Sequence, residues 1–374
     1  MKKLLFPFLL ISTLSLTAQD EHYLLIGTYT AGKSEGIYVY KFNSVTADHR
    51  LISIAKSSNP SFLAVSPNEK YVYAVNENAD STLVPMGGTI TAFSFNAATG
   101  NLAEINKQPS GGMHPCYVSI DNTGKTIAVA NYTGGSIAIF PVEQDGHLRQ
   151  ASQTIQLTGS GINSKRQNSP HVHYTHFSST SFQLFATDLG TDKIMLYDMD
   201  PFTHNLKPGR QPFVLSKPGS GPRHMAFSQN NKFAYLIEEL SGTVVTFNYK
   251  NKKLNPIQRL STLPVDFNGE AGSADIHISP NGKFLYCSNR ANANHLSIFS
   301  IDAVTGKLTL TGHQSTFGKT PRNFNFDPSG NFLLVANQHS DEIVIFKTDA
   351  LTGLLTDTGK RITIPNPVCI KWIK

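Results

Sequence analysis

The sequence predicts an all-β chain: a seven-bladed β-propeller of four-stranded antiparallel blades, its ring closed by N- and C-terminal strands that share one blade. Two observations carry this. A strand–turn–strand phrase recurs seven times, beginning at residues 60, 115, 172, 222, 273, 321 and 367. Charged residues make up only 16 % of the chain, while 28 glycines and 20 prolines punctuate it, a mix suited to many short strands joined by turns and not to coiled coil or disorder. Repeats roughly fifty residues apart with strand content mean propeller blades, not helical solenoids.

In chain order, residues 1–19 come first. Lys2 and Lys3 precede an apolar run from Leu4 to Leu16, and Thr17, Ala18 and Gln19 follow. Basic, then apolar, then small and polar is the layout of a secretory signal, and the run is short for a membrane span. The expectation is an exported protein, periplasmic or extracellular, whose mature domain covers 20–374 and has no membrane attachment once the leader is removed. Removing Lys2 and Lys3 from 32 basic and 26 acidic residues leaves a formal charge of +4. So mild an excess, without Lys/Arg blocks, excludes nucleic acid as the expected partner. Cys116, Cys287 and Cys369 lie far apart in apolar runs with no Cys-x-x-Cys spacing, which reads as buried free thiols and not as a zinc or redox motif. The state expected is a monomer or weak dimer.

Residues 22–58 contain two strand-like runs, HYLLIGTYT and GIYVYKF. The copies follow: PSFLAVSPNEKYVYAVNE over 60–77, PCYVSIDNTGKTIAVANY over 115–132 and VHYTHFSSTSFQLFATDL over 172–189. PRHMAFSQNNKFAYLIEE (222–239), SADIHISPNGKFLYCSNR (273–290) and PRNFNFDPSGNFLLVANQ (321–338) continue the series. Between copies a third strand is legible, as at Gly88–Phe95, then a turn such as Ala98–Leu102 and a fourth strand. The last copy, Pro367–Ile373, has a single strand, so the N-terminal runs are expected to complete its blade.

In each copy the two strands form a hairpin, so the start of the first and the end of the second share one edge of the blade. The first strand borders the central channel. The second residue of each copy, here called its head position, is Ser61, Cys116, His173, Arg223, Ala274, Arg322 and Val368 in turn; the eighteenth, its tail position, is Glu77, Tyr132, Leu189, Glu239, Arg290 and Gln338. Three arginines, two glutamates and a histidine therefore gather at one rim of one channel, and burying them without function is costly. His171 and His173 alternate and share a face; His176 points the other way. No carboxylate spacing completes a metal site around them, so neither metal nor cofactor is expected. His176, His224 and His277 read as core or surface residues. Asn76, Asn131, Asn289 and Asn337 recur one place before the tail positions and read as turn or inter-blade hydrogen-bonders.

The phrases at these positions resemble the propeller-type lactonase family, which includes 6-phosphogluconolactonases and carboxy-muconate cyclases. The matching stretches are Arg166-Gln167 with Pro170-His171-Val172-His173, Asp188-Leu189-Gly190 and Gly221-Pro222-Arg223-His224 through Glu239-Leu240. Asp275–Gly282 with Ser288-Asn289-Arg290, and Pro321-Arg322-Asn323-Phe324, complete them. The resemblance spans residues 22–374. It implies that the family's catalytic His, Arg, Glu and Arg fall on His173, Arg223, Glu239 and Arg290. Asp275 departs from it, since the family more often has Glu there.

Lactone hydrolysis needs an activated water and a stabilised oxyanion. His173 and Glu239 are the two candidate bases. Arg223 and Arg290 stay protonated and suit the oxyanion and a substrate carboxylate or phosphate. Arg322, Arg166, His171, Glu77 and Asp275 make up the expected substrate-binding set. No Gly-x-Ser-x-Gly elbow is present, so direct attack by water without metal is preferred to a serine nucleophile. The expected substrate is a small anionic lactone or dicarboxylate, with 6-phosphogluconolactonase-like hydrolysis first. A muconate-type lactonizing cycloisomerase and a non-catalytic ligand- or protein-binding propeller stand as alternatives.

Overall fold

A computed structural model describes residues 20–83, 86–180 and 182–374; the expected leader, residues 1–19, lies outside them. The described residues form seven four-stranded antiparallel sheets. Their channel-side strands are Phe62–Val65, Pro115–Ile120, Val172–Phe177, Pro222–Phe227, Ser273–Ile278, Pro321–Phe326 and Pro367–Ile373, one for each predicted copy. We number the blades one to seven in that order. Blade seven is composite: Pro367–Ile373 is innermost and pairs antiparallel with Glu21–Thr28, and Gly36–Asn43 and His49–Lys56 follow outward.

The apolar runs are continuous, not alternating, because each inner sheet is covered on both faces by its neighbours. Leu25 packs with Val39 and Val75 in the core between blades seven and one. Its neighbours Leu24 and Ile26 point the opposite way, to Leu334 and Ile343 of blade six. Blade four repeats this, with Tyr235 and Ile237 facing blade five and Ala234 and Leu236 facing blade three. Alternate side chains of one strand thus fill two different cores, and each fully buried Leu or Ile contributes about 1.5–3 kcal/mol.

Two repeated devices hold the ring. At the outer hairpins, Asn43, Asn96, Asp200, Asp302 and Asp349 each accept backbone N–H bonds from the residues two and three places on, the Asx turn that these residue types favour. Nearer the channel, the recurring asparagines donate to linker carbonyls: Asn76 to Ser58, Asn131 to Ser110, Asn289 to Thr262 and Asn337 to Thr316. This is the inter-blade role expected of them. All three cysteines are buried and free.

A third device aims side chains into the channel. The innermost pairing shifts register at the head position of most blades. Val172 pairs with Asp188 and Tyr174 with Thr187, which leaves His173 as the extra residue. Cys116, Arg223, Arg322 and Val368 are extra in the same way, and Ala274–Asp275 share the shift in blade five. A bulge bends the strand and redirects one side chain. Here it does so around a circle.

Candidate active site

The bulges and the strand ends beside them build a mouth cavity of about 230 Å³ at one end of the channel. Its walls come from tail positions (Glu77, Tyr132, Glu239, Arg290), from head positions (Cys116, His173, Arg322), and from Tyr29 and Arg166. Directly beneath, the channel narrows to about 10 Å³ between six head positions, Ser61, Cys116, His173, Arg223, Arg322 and Val368, with Phe62, His224 and Asn323 beside them. The hairpin frame therefore places head and tail residues at a common pore.

Glu239 is the electrostatic centre. Its Oε1 accepts from Arg166 Nη2 at 2.6 Å, and its Oε2 from Arg223 Nε at 2.9 Å, with Arg290 Nη2 at 3.0 Å. Burial alone would raise its pKa, but the guanidiniums of Arg290, Arg223 and Arg166 outweigh burial and hold it well below the usual carboxylate range. A carboxylate paired three times is a weak base. Glu239, expected as one of two bases, is instead the anchor that orients three guanidiniums. Arg290 is lowered by burial to about 10 and remains protonated at neutral pH.

Across the cavity, Arg322 Nη2 donates to the Tyr29 hydroxyl at 2.7 Å, and that hydroxyl donates to Glu77 Oε2 at 2.8 Å. Arg322 also lies over the Tyr29 ring, 5.2 Å from its centroid. Arg166 reaches in from the segment before blade three and bonds Tyr132 Oη at 3.2 Å. His173 meets Tyr132 and His224 edge to face, with Nδ1 3.8 Å from Cys116 Sγ. Burial, then the fields of Arg223, His224 and Arg322, keep its pKa well below 6.5, so the ring is neutral. Burial pushes the Cys116 thiol up, and it stays protonated.

Mouth and constriction together hold four guanidiniums against two carboxylates, Glu77 and Glu239, an excess of two positive charges. At an effective dielectric of about 20, one charge pair at about 4 Å is worth about 4 kcal/mol before desolvation. The site is built to receive an anion and to stabilise negative charge that develops on it. Among the described residues no group of three or more His, Cys, Asp or Glu is placed to hold a metal ion.

Three expected site residues stand elsewhere. Arg223 lines the constriction, not the mouth; it is 1 % exposed and also donates to Ala274 O at 2.6 Å. His171 precedes its strand, where its ring stacks on Tyr132 at 4.6 Å and Nδ1 lies 3.1 Å from Tyr132 O, so it buttresses the wall and lines neither chamber. Both His171 and His173 meet the Tyr132 ring, so the two histidines lie on one side as expected, although His173 is the bulged residue. Asp275, expected to bind substrate, lies below the constriction and is saturated there. Its Oδ1 accepts from His224 Nδ1 at 2.8 Å, its Oδ2 is 3.0 Å from His277 Nε2, and Asn323 donates to the same oxygen. Asp275 lies within the register shift of blade five and lines a separate cavity of about 320 Å³.

Tyr29 was not among the expected residues. Its signal lies in ring closure: leading prolines pair with the residue before each tail position, as Pro222 does with Glu238 and Pro321 with Asn337. Pro367 pairs with Thr28, so Tyr29 is the tail position of blade seven, separated from its head by nearly the whole chain.

Comparisons with known proteins show the family to which this fold belongs. A family model described as "Lactonase, 7-bladed beta-propeller" matches residues 23–372. A 6-phosphogluconolactonase of Formosa agariphila is 41 % identical over 331 residues, covering 86 % of this chain and 91 % of that one. A 6-phosphogluconolactonase of Bacillus subtilis is 34 % identical over 360 residues, covering 93 % and 97 %. The solved structure of the periplasmic gluconolactonase of Pseudomonas aeruginosa superposes with a TM-score of 0.89 at 35 % identity, covering 95 % of this chain and 99 % of that one.

Proposed function

The chain belongs to the seven-bladed β-propeller lactonase family, and from that premise we propose that it hydrolyses the lactone of a sugar acid in the mouth cavity. The observation that carries this reading is the surplus of two positive charges over the mouth cavity and the constriction beneath it, carried by guanidiniums that are already fixed. Glu239 holds Arg166, Arg223 and Arg290, and the Tyr29 hydroxyl holds Arg322. Such donors need little reorganisation when a carbonyl oxygen becomes an oxyanion. Arg290, 14 % exposed in its side chain, and Arg322 are the cations that line the mouth from strand ends, and Arg166 covers it from a loop. One guanidinium meets the oxyanion and another the substrate's own phosphate or carboxylate.

Export fits the same reading. Residues 1–19 have the layout of a secretory leader, and one relative, at 35 % identity, is described as periplasmic. The substrate is then an aldonolactone met outside the cytoplasm. A muconate-type cycloisomerase gains nothing from the relatives named above.

The test is acid release from glucono-δ-lactone and its 6-phosphate by the purified mature chain, compared with spontaneous opening. Turnover that falls about 10²–10³-fold in Arg290→Ala, the size of one lost oxyanion donor, is expected. No rate above background with either lactone would refute the reading.

A further inference from the structure

Hydrolysis also needs a proton acceptor for the attacking water, and the mouth cavity holds few groups able to act as one. The arginines are protonated, and burial raises the Tyr29 and Tyr132 hydroxyls and the Cys116 thiol, so none of these accepts. Glu239 has both oxygens occupied by guanidiniums. His173 is neutral but sits in the field of Arg223 and Arg322, which opposes its taking a proton. Glu77 differs from all of them. It is half-buried, lines the cavity, and has no guanidinium or ammonium nitrogen within ion-pair distance among the described residues. One oxygen, Oε2, accepts the Tyr29 hydroxyl at 2.8 Å; the other has no protein partner among the described residues. Tyr29 is itself fixed by Arg322 at 2.7 Å.

Resting on the lactonase reading, we propose that Glu77 is the catalytic base, with Tyr29 as its positioning residue. The water oxygen bonds to the lactone carbonyl carbon while its proton passes to Glu77 Oε1, and the carbonyl oxygen carries the charge to the guanidiniums. The ring C–O bond then breaks, and the departing ring oxygen takes the proton back from Glu77. The product is the open hydroxy acid, which ionises, and Glu77 ends as it began. The Tyr29 hydroxyl pins one carboxylate oxygen so that the free one faces the cavity, and the Arg322–Tyr29–Glu77 chain links heads and tails of blades six, seven and one in this single task.

Initial rates with glucono-δ-lactone test this in wild type, Glu77→Gln and Tyr29→Phe, with thermal unfolding to show that each variant folds. Gln is isosteric and still accepts the Tyr29 bond, so the fold is expected to persist. We expect kcat to fall about 10²–10⁴-fold in Glu77→Gln, the usual worth of a positioned base, with KM within about threefold. Tyr29→Phe frees both the Glu77 carboxylate and the Arg322 guanidinium to turn, and is expected to lower kcat about tenfold with a rise in KM that Glu77→Gln does not show. A Glu77→Gln enzyme that keeps kcat within about threefold, or that loses only KM, overturns the assignment and leaves the lactonase reading standing. An inactive wild type overturns both.

Discussion

Glu239 shows how a residue acquires its role from its neighbours. Its side chain is 6 % exposed and faces three guanidiniums. Replacing it by Gln removes the charge that makes their proximity tolerable. Breaking a buried pair by removing one partner costs about 3–5 kcal/mol, so Glu239→Gln is expected to lower stability by that order at pH 7, read from chemical denaturation. The pH dependence has a definite sign. The folded carboxyl titrates well below the unfolded value of 4.5, so its contribution is complete above about pH 4.5 and is lost as the pH falls toward the folded pKa. The Gln variant lacks that contribution throughout, so the gap between the two proteins is expected to narrow below pH 4.5; a gap that stays constant to pH 3 would argue against the pairing. This was not legible in the sequence. Acid at the end of a strand marks Glu239 as a site residue, but whether it is base or anchor depends on how many guanidiniums reach it. One of those, Arg166, arrives from a loop whose path no strand pattern specifies.

At the scale of the element, the seven channel-side strands begin at or within two residues of where the repeat puts them, because strand apolarity, the Pro before it and the Asn/Gly turn after it all act locally. The bulges were hidden. A bulge is a mismatch in backbone pairing between two strands, and Cys, His, Arg and Val occupy it equally well here, so no residue type announces it. Asp275, expected to bind substrate from the family resemblance although Ala274 holds the head position, lies beneath the constriction. Close approach of backbones is likewise invisible in sequence except as glycine. At Gly190 an added Cβ would stand 1.9 Å from Ser169 O and 2.9 Å from both His171 N and Pro170 Cα. Gly190→Ala must therefore push the 169–171 segment outward, away from the wall that His171 and Arg166 support. Overpacking of this kind costs about 1–3 kcal/mol. The expected result is a lowered melting temperature together with reduced kcat/KM, measured in the same preparation; unchanged values of both would show that the segment yields freely.

For the whole molecule, the ring depends on one composite sheet. Cys369 and Ile373 are buried against blade one and Ile370 against blade six, and Trp372 packs edge to face on Phe42. The two isoleucines alone amount to about 3–6 kcal/mol, a large part of the 5–15 kcal/mol that separates folded from unfolded domains. Ending the chain at Asn366 is thus expected to abolish cooperative unfolding by circular dichroism, and a native-like transition in that truncation would contradict the closure. The same joint bears on synthesis. Glu21–Thr28 is made well before Pro367–Ile373, the strand that covers its inner edge. Until the two segments meet, that edge is open to pairing with any other extended chain.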